Sequence, residues 1–387
     1  MKNYISERSK SMPISGIRVI FEIAQKMKDV VRLEVGEPDF DTPKHIKEAV
    51  VKALEEGYTH YTSSAGLIEL REAIAEKLRR ENGISVDPEN EVVVTVGASS
   101  AINLSLLTLI DPGDEVLIPD PGWPQYQGQI CLSGGVPVGY PTPESMEFRP
   151  DFNALENKIT EKTKVLIVNS PNNPTGAVLT KDDLEKLAAI AERHDLIVIS
   201  DEVYEKFLYE GTYVSFATLP GMEDRTLTVN GFSKTYAMTG WRLGYVAGRE
   251  EFLSQIAKMN LHVNSCPPAM TQRAALTALQ GSQEPVKEMF REYRKRRDVI
   301  VKGLNEIEGV KCLNPGGAFY VFPNLSAYKM PSMDLAKYLI EKAGVATVPG
   351  VSFGKEGEGH LRLSYANSVE NIMEAIRRMS EALKRLG

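Results

Sequence analysis

Residues Lys164–Asp201 read KVLIVNSPNNPTGAVLTKDDLEKLAAIAERHDLIVISD. The stretch opens on a short apolar run rich in β-branched residues, Lys164–Asn169, of the kind that forms a strand buried on both faces. A helical segment follows over Lys181–His194, with Thr180 as its N-cap and Asp183 three residues on. A second apolar run, Leu196–Ser200, comes next. Strand, helix and strand in this order predict a parallel pair covered by the helix between them. The same signal extends both ways. Val92–Val96, Glu115–Ile118, Val136–Tyr140, Thr226–Asn230 and Leu243–Ala247 are further buried-strand candidates, and Ser100–Leu109 is a helix after the first of them. The pattern predicts an α/β fold whose large domain holds a mainly parallel sheet between helices.

Upstream, Pro43–Glu56 and Leu67–Arg80 carry the 3.6-residue stripe of amphipathic helices. Downstream, a long helix over about Glu284–Glu308 leads to a different arrangement. There Ala318–Phe322, Val345–Val348 and His360–Tyr365 alternate with helices Met333–Lys342 and Ser368–Leu386, as expected of a smaller α+β domain. The expected division is 42–290 for the large domain and 1–41 with 291–387 for the small one.

The 387 residues suffice for such a core, since a chain of this length buries roughly three quarters of its unfolded surface. With 42% hydrophobic and 25% charged residues the chain reads as globular. Forty-five basic against 52 acidic residues, net charge -7, offer no basic excess for a nucleic-acid backbone. The run Arg291–Arg297 reads as a solvated helix face. No apolar stretch is long enough to span a membrane, and Met1–Ser11 has no secretory apolar core. Three scattered cysteines, Cys131, Cys266 and Cys312, fit reduced thiols in a cytoplasm. The five histidines show no ligand spacing, so no metal site is expected.

Ligands of an open parallel sheet collect beyond the carboxyl ends of its strands. Four such ends carry polar groups: Gly97-Ala98-Ser99-Ser100, Asn169–Gly176, Asp201, and Ser233-Lys234. Small and hydroxyl residues at the start of a helix suit a phosphate, or serve only as a cap. The spacing matches neither GxxxxGK[ST] nor GxGxxG, which leaves a phosphate ligand smaller than a nucleotide. A lysine eight residues before Arg242 suits a nucleophile whose pKa is depressed by burial or nearby positive charge.

The residues resemble the class I/II pyridoxal-phosphate-dependent aminotransferases, the aspartate aminotransferase family, in its bacterial and archaeal branch. The resemblance rests on LEVGEPDFDTP (Leu33–Pro43), HYTSSAGLIELREAIA (His60–Ala75), SPNNPTGAV (Ser170–Val178), ISDEVYE (Ile199–Glu205), NGFSKTYAMTGWRLGY (Asn230–Tyr245), GAFY (Gly317–Tyr320), VPG (Val348–Gly350) and RLSYA (Arg362–Ala366). It implies fold type I and pyridoxal 5'-phosphate as cofactor. It further implies that Lys234 links the cofactor covalently and shuttles a proton, and that Asp201 pairs with the pyridine nitrogen. Asn173 and Tyr204 would bond the ring oxygen, and Trp123 would stack on the ring. Ala98, Ser99, Ser233 and Arg242 would hold the phosphate, with Tyr61 reaching in from the second subunit of a homodimer. Arg362 would bind the substrate α-carboxylate, and Gly36 would add a backbone donor. Asp120–Pro121 and Asn173–Pro174 are expected to be cis.

The departures concern the substrate side chain. Leu261 stands where animal-type aspartate enzymes of the family carry an arginine, and Ser99 where nearer bacterial ones carry a lysine. An aromatic, aspartate or broad donor range therefore stays open, with Arg18 a possible cation for dicarboxylates. The implied reaction moves an amino group from an L-amino acid to a 2-oxo acid such as 2-oxoglutarate. A C–S β-lyase is the alternative, because the same chemistry supports elimination at Cβ. A non-catalytic pyridoxal-phosphate-binding regulatory module is a more remote one.

Overall fold

The computed structural model describes residues 4–10, 12 and 16–386. In chain order its strands are β1 (Val31–Arg32), β2 (Val92–Thr95), β3 (Glu115–Asp120), β4 (Val136–Pro141), β5 (Thr163–Asn169), β6 (Ile197–Asp201), β7 (Thr226–Gly231) and β8 (Gly244–Ala247). Then follow β9 (Tyr320–Val321), β10 (Val345–Ala346), β11 (Val348–Pro349) and β12 (Leu361–Ser364). All seven apolar runs expected between 92 and 247 enter one sheet of order β2-β8-β7-β6-β5-β3-β4. Only β8 runs against its neighbours; the other pairs are parallel.

The apolar runs are continuous because both sheet faces are covered. Val165 and Ile167 of β5 pack into one core with the helices Ala98–Leu109 and Pro124–Leu132. Their neighbours Leu166 and Val168 face the opposite core with the helix Lys181–Arg193. That helix begins with the expected capping box, Thr180 and Asp183 each bonding the other's backbone. The order in which strands are added reverses between the parallel neighbours β3 and β5, since β4 lies beyond one and β6 and β7 beyond the other. This switch point sets the segments after β3 and β5 side by side.

A second core gathers the C-terminal elements. β11, β12 and β9 form an antiparallel sheet, and β1 pairs in parallel with β10. Helices Gly16–Lys26, Glu284–Asn305, Ser332–Ala343 and Val369–Leu383 pack around them. Tyr204, Phe207 and Tyr209, from the segment after β6, insert into this core. Strand ends thus contact both cores.

Some expectations are corrected. The basic run is not wholly solvated: Arg296 and Arg297 are buried. Arg296 Nη1 donates to both Asp39 oxygens at 2.8 Å and its guanidinium lies over the rings of Phe40 and Tyr293, while Arg297 lies over Tyr209. Aromatic faces and a carboxylate replace the water these guanidinium groups lose. The helix expected to reach Arg80 is α-helical only over Ile68–Lys77 and continues as a π-helical turn, Leu78–Asn82. The C-terminal strands are shorter than their apolar runs, which continue as buried non-strand segments. Asp120–Pro121 and Asn173–Pro174 are cis, as is Ser170–Pro171.

Candidate active site

A cavity of about 370 Å³ opens beyond the strand ends. Its wall includes Gly36, Ala98, Ser99, Trp123, Asn173, Asp201, Tyr204, Ser233, Lys234, Arg242 and Arg362, so eleven of the twelve expected residues meet there. Tyr61 does not line the cavity of its own chain and is 89% exposed.

Lys234 follows β7, in the short helix Phe232–Thr235. Its Nζ donates to the Gly36 carbonyl at 2.6 Å. The Gly36 carbonyl is thus the acceptor for Lys234, a different atom from the N–H donor that the resemblance implied. Burial, then the Arg362 charge, bring the lysine pKa down to about 8. Asp201, at the end of β6, is buried, and Tyr126 Oη donates to its Oδ2 at 2.5 Å. Burial raises the Asp201 pKa to about 6 against the opposing Tyr126 bond. Asn169 supports the next turn: its Nδ2 donates to the Asp201 carbonyl at 3.1 Å, and its Oδ1 accepts from Asn173 N at 3.0 Å.

Arg362, in β12, is also buried. It donates to Asn173 Oδ1 at 3.1 Å and to the Glu34 carbonyl at 2.6 Å. Its Nε has no hydrogen-bond partner among the described residues. The guanidinium carbon lies 4.7 Å from the Tyr320 ring centroid and 5.1 Å from that of Phe353. Tyr204 and Tyr320 share a 2.8 Å hydroxyl bond beside it. At the other end, Arg242 adopts a left-handed backbone with φ of 53° and reaches Ser99 Oγ at 3.5 Å. Gly97, at the start of the helix Ala98–Leu109, has a left-handed φ of 83° that favours glycine, and a Cβ there would come within 2.6 Å of this guanidinium and displace it.

The arrangement fits pyridoxal phosphate on its own chemistry. A buried carboxylate beside a cavity is costly without a cationic partner, which a protonated ring nitrogen is. Helix N–H groups, a hydroxyl and an arginine converge at a distance from it, as a dianionic phosphate requires. The unpartnered Nε of Arg362 leaves capacity for a carboxylate.

Sequence reasoning missed Tyr126, Tyr320 and Phe21, all on the cavity wall. Tyr126 stands three residues after Trp123 in one helical turn, and Tyr320 closes the quoted GAFY; those were the available signals. Phe21 gave none, because its helix lies far away in sequence. Its ring is held by Arg32, 4.7 Å from the centroid, and Arg32 is in turn bonded to buried Glu34. Arg18 points elsewhere, 79% exposed and paired with Glu22 at 2.9 Å. Leu261 is exposed at the end of its helix.

The sheet order and the lysine, carboxylate and arginine beyond its strand ends define a fold type I transferase. The chain belongs to the aminotransferase class I and II family, whose model matches residues 28–379. It is 46% identical to an aromatic-amino-acid aminotransferase of Thermococcus litoralis and 49% identical to an aspartate aminotransferase of Pyrococcus abyssi, covering 98% of each chain in both cases. The solved aspartate aminotransferase of Thermus thermophilus with maleate superposes with a TM-score of 0.94 at 43% identity, over 99% of this chain and 100% of that one. An aromatic aminotransferase of Pyrococcus horikoshii gives 0.91 at 47% identity, over 95% and 99%. The protein is an aminotransferase, of a family whose enzymes use pyridoxal phosphate. The β-lyase alternative finds no support among these relatives. Among the described residues no helix is long and apolar enough to cross a membrane.

Proposed function

We propose that this chain binds pyridoxal phosphate through the residues assembled above and moves an amino group between an amino acid and a 2-oxo acid in the cytoplasm, as a homodimer in which Tyr61 completes the neighbouring site. We further assign residues 42–290 to a cofactor-binding domain and 1–41 with 291–387 to a smaller one. The observation that carries the reading is the meeting of Lys234, Asp201 and Arg362 in one cavity.

When bound, pyridoxal phosphate supplies a sink for the electrons of the substrate Cα–H bond. Lys234 serves as covalent tether and then as base: a pKa near 8 leaves part of its Nζ neutral at pH 7, able to take the Cα proton and return it elsewhere. Asp201 keeps a proton on the ring nitrogen, and that cation in turn lowers the carboxyl pKa from about 6. Asn173 and Tyr204 would hold the ring oxygen, and Trp123 would pack against the ring. Ala98, Ser99, Ser233 and Arg242 fix the phosphate. Arg362 clamps the α-carboxylate, which every amino-acid substrate carries. Phe21 and Tyr320 supply aromatic rings on this side of the cavity.

Borohydride reduction of the loaded enzyme followed by peptide mass mapping tests the assignment; the cofactor mass is expected on Lys234, and attachment to another lysine would refute it. The cavity wall has an apolar ring at Phe21 while Arg18 is turned to Glu22, so neutral aromatic donors are expected to compete with aspartate. A kcat/KM for aspartate more than about a hundredfold, ~2.7 kcal/mol, above every neutral amino acid would exclude that range.

A further inference from the structure

The segment that brings Trp123 and Tyr126 to the cavity begins at Asp120, whose side chain the mechanism above does not use. It turns away from the cavity toward the loop Gly350–Gly357, which precedes β12. Asp120 Oδ1 accepts from Glu356 N at 3.0 Å, and Oδ2 accepts from Lys355 N at 3.2 Å. Gly122 N donates to the Phe353 carbonyl at 2.8 Å. Gly354 sits between these contacts with φ of 131°, and a Cβ built on it would overlap the Asp120 carboxylate. Both the backbone conformation and the space therefore require glycine there.

The loop held in this way is the support of Arg362. The buried Phe353 ring lies beneath the guanidinium, Gly350 N donates to the His360 carbonyl at 2.8 Å, and Val348 is the ladder partner of Arg362. On the other side, Trp123 meets Tyr126 edge to face at 5.3 Å, and Tyr126 bonds Asp201. One short segment thus joins the group that would hold the ring nitrogen to the loop under the group that would hold the substrate carboxylate.

We propose that Asp120 is a positioning residue: it clamps the loop Phe353–Glu356 against the Trp123 segment and so fixes the place of Arg362 relative to the cofactor. The inference rests on the reading of Arg362 as the α-carboxylate anchor. A cap that served only the fold would lower stability and leave the balance between substrate and cofactor affinity unchanged.

The experiment uses the full chain loaded with pyridoxal phosphate and follows the bound cofactor's absorbance while α-methylphenylalanine or α-methylaspartate is added. Cofactor retention on dialysis is measured alongside, as is amide hydrogen exchange at Lys355 and Glu356 in the cofactor-free chain. For Asp120→Ala, loss of two charge-assisted acceptor contacts should weaken both ligands about tenfold, with cofactor affinity within about twofold and faster exchange at both amides. Asp120→Asn, which keeps one acceptor oxygen, should fall between that variant and the parent. If Asp120→Ala does not fold, Asp120→Asn and Gly354→Ala carry the test from the two sides of the contact, and both should weaken the two ligands alike. Unchanged ligand affinity with faster exchange overturns the proposal, as does parallel loss of cofactor and ligand. Arg362→Ala separates the two readings. If it weakens both ligands and the Asp120 variants do not, the clamp alone fails; if it weakens neither, the anchor assignment fails and the clamp with it.

Discussion

Two clusters in this molecule each hold a lysine and at least one buried carboxylate, and they are built differently. In the first, Lys77 Nζ donates to Glu205 and to Asn82 Oδ1, the latter at 2.7 Å. Asn82 Nδ2 reaches Glu205 at 2.7 Å, Ser215 at 2.8 Å and Glu202 at 3.3 Å, and Ser200 and Ser215 hydroxyls donate to Glu202. None of these residues lines the cavity. In the second, Lys234 is held by one carbonyl, Arg362 keeps an unpartnered N–H, and both face the cavity with Asp201. Buried charge that is fully paired fastens elements together. Buried charge left with spare bonding capacity beside a cavity is arranged for a ligand. The two clusters are joined through Asp201-Glu202, neighbours in sequence with opposite assignments.

Variants at the two lysines should part most widely. Lys234→Ala should abolish multiple turnover while leaving the unfolding midpoint near that of the parent; turnover that persists would break the contrast. Lys77→Met should do the reverse, since it strands Glu205 in the interior. A loss of ~3–5 kcal/mol in urea unfolding is expected, with kcat changed less than about threefold. A smaller effect is expected at the shared boundary. Asp201→Asn should lower kcat by ~1.5–3 kcal/mol, roughly 10- to 150-fold, and reduce cofactor retention far less, because the phosphate contacts remain. Near-normal turnover in that variant would remove Asp201 from the catalytic group.

The subtlest test is pH. Burial, with Glu205 adding to it, raises the Glu202 pKa from 4.5 to about 7. Its protonated form is the one the fold favours, so its contribution to stability is complete below pH about 4.5 and is lost as pH rises through about 7. Glu202→Gln should flatten that part of the stability curve by on the order of 1 kcal/mol, measured as urea unfolding between pH 4.5 and 8. Identical slopes in parent and variant would show that Glu202 stays ionised in the fold.

Much of this architecture was legible in the chain. Continuous β-branched runs gave all seven strands of the large sheet, because a strand covered on both faces must be apolar at every position. The polar groups at their carboxyl ends were legible for the same reason: they interrupt those runs where the chain leaves the core. Thr180 and Asp183 announced their helix because a capping box is a local contact three residues long. The inward turn of Arg296 and Arg297 was not legible, since their partners Asp39, Phe40 and Tyr209 lie far off in sequence. Nor could the π turn that delivers Asn82 be read from propensities that describe α-helix and strand.

The sequence by itself determined the sheet, its strand-end chemistry and, through the quoted motifs, the family. Tertiary structure decided which of those groups meet. It brought Phe21, Tyr126 and Tyr320 to the cavity, turned Arg18 away to Glu22, and set the Asp120 carboxylate on the amides of Lys355 and Glu356. The physical reason is range. Periodicity and capping act over one or two turns of chain, whereas the pairing of a buried charge is settled by whatever the folded core places within about 3 Å of it.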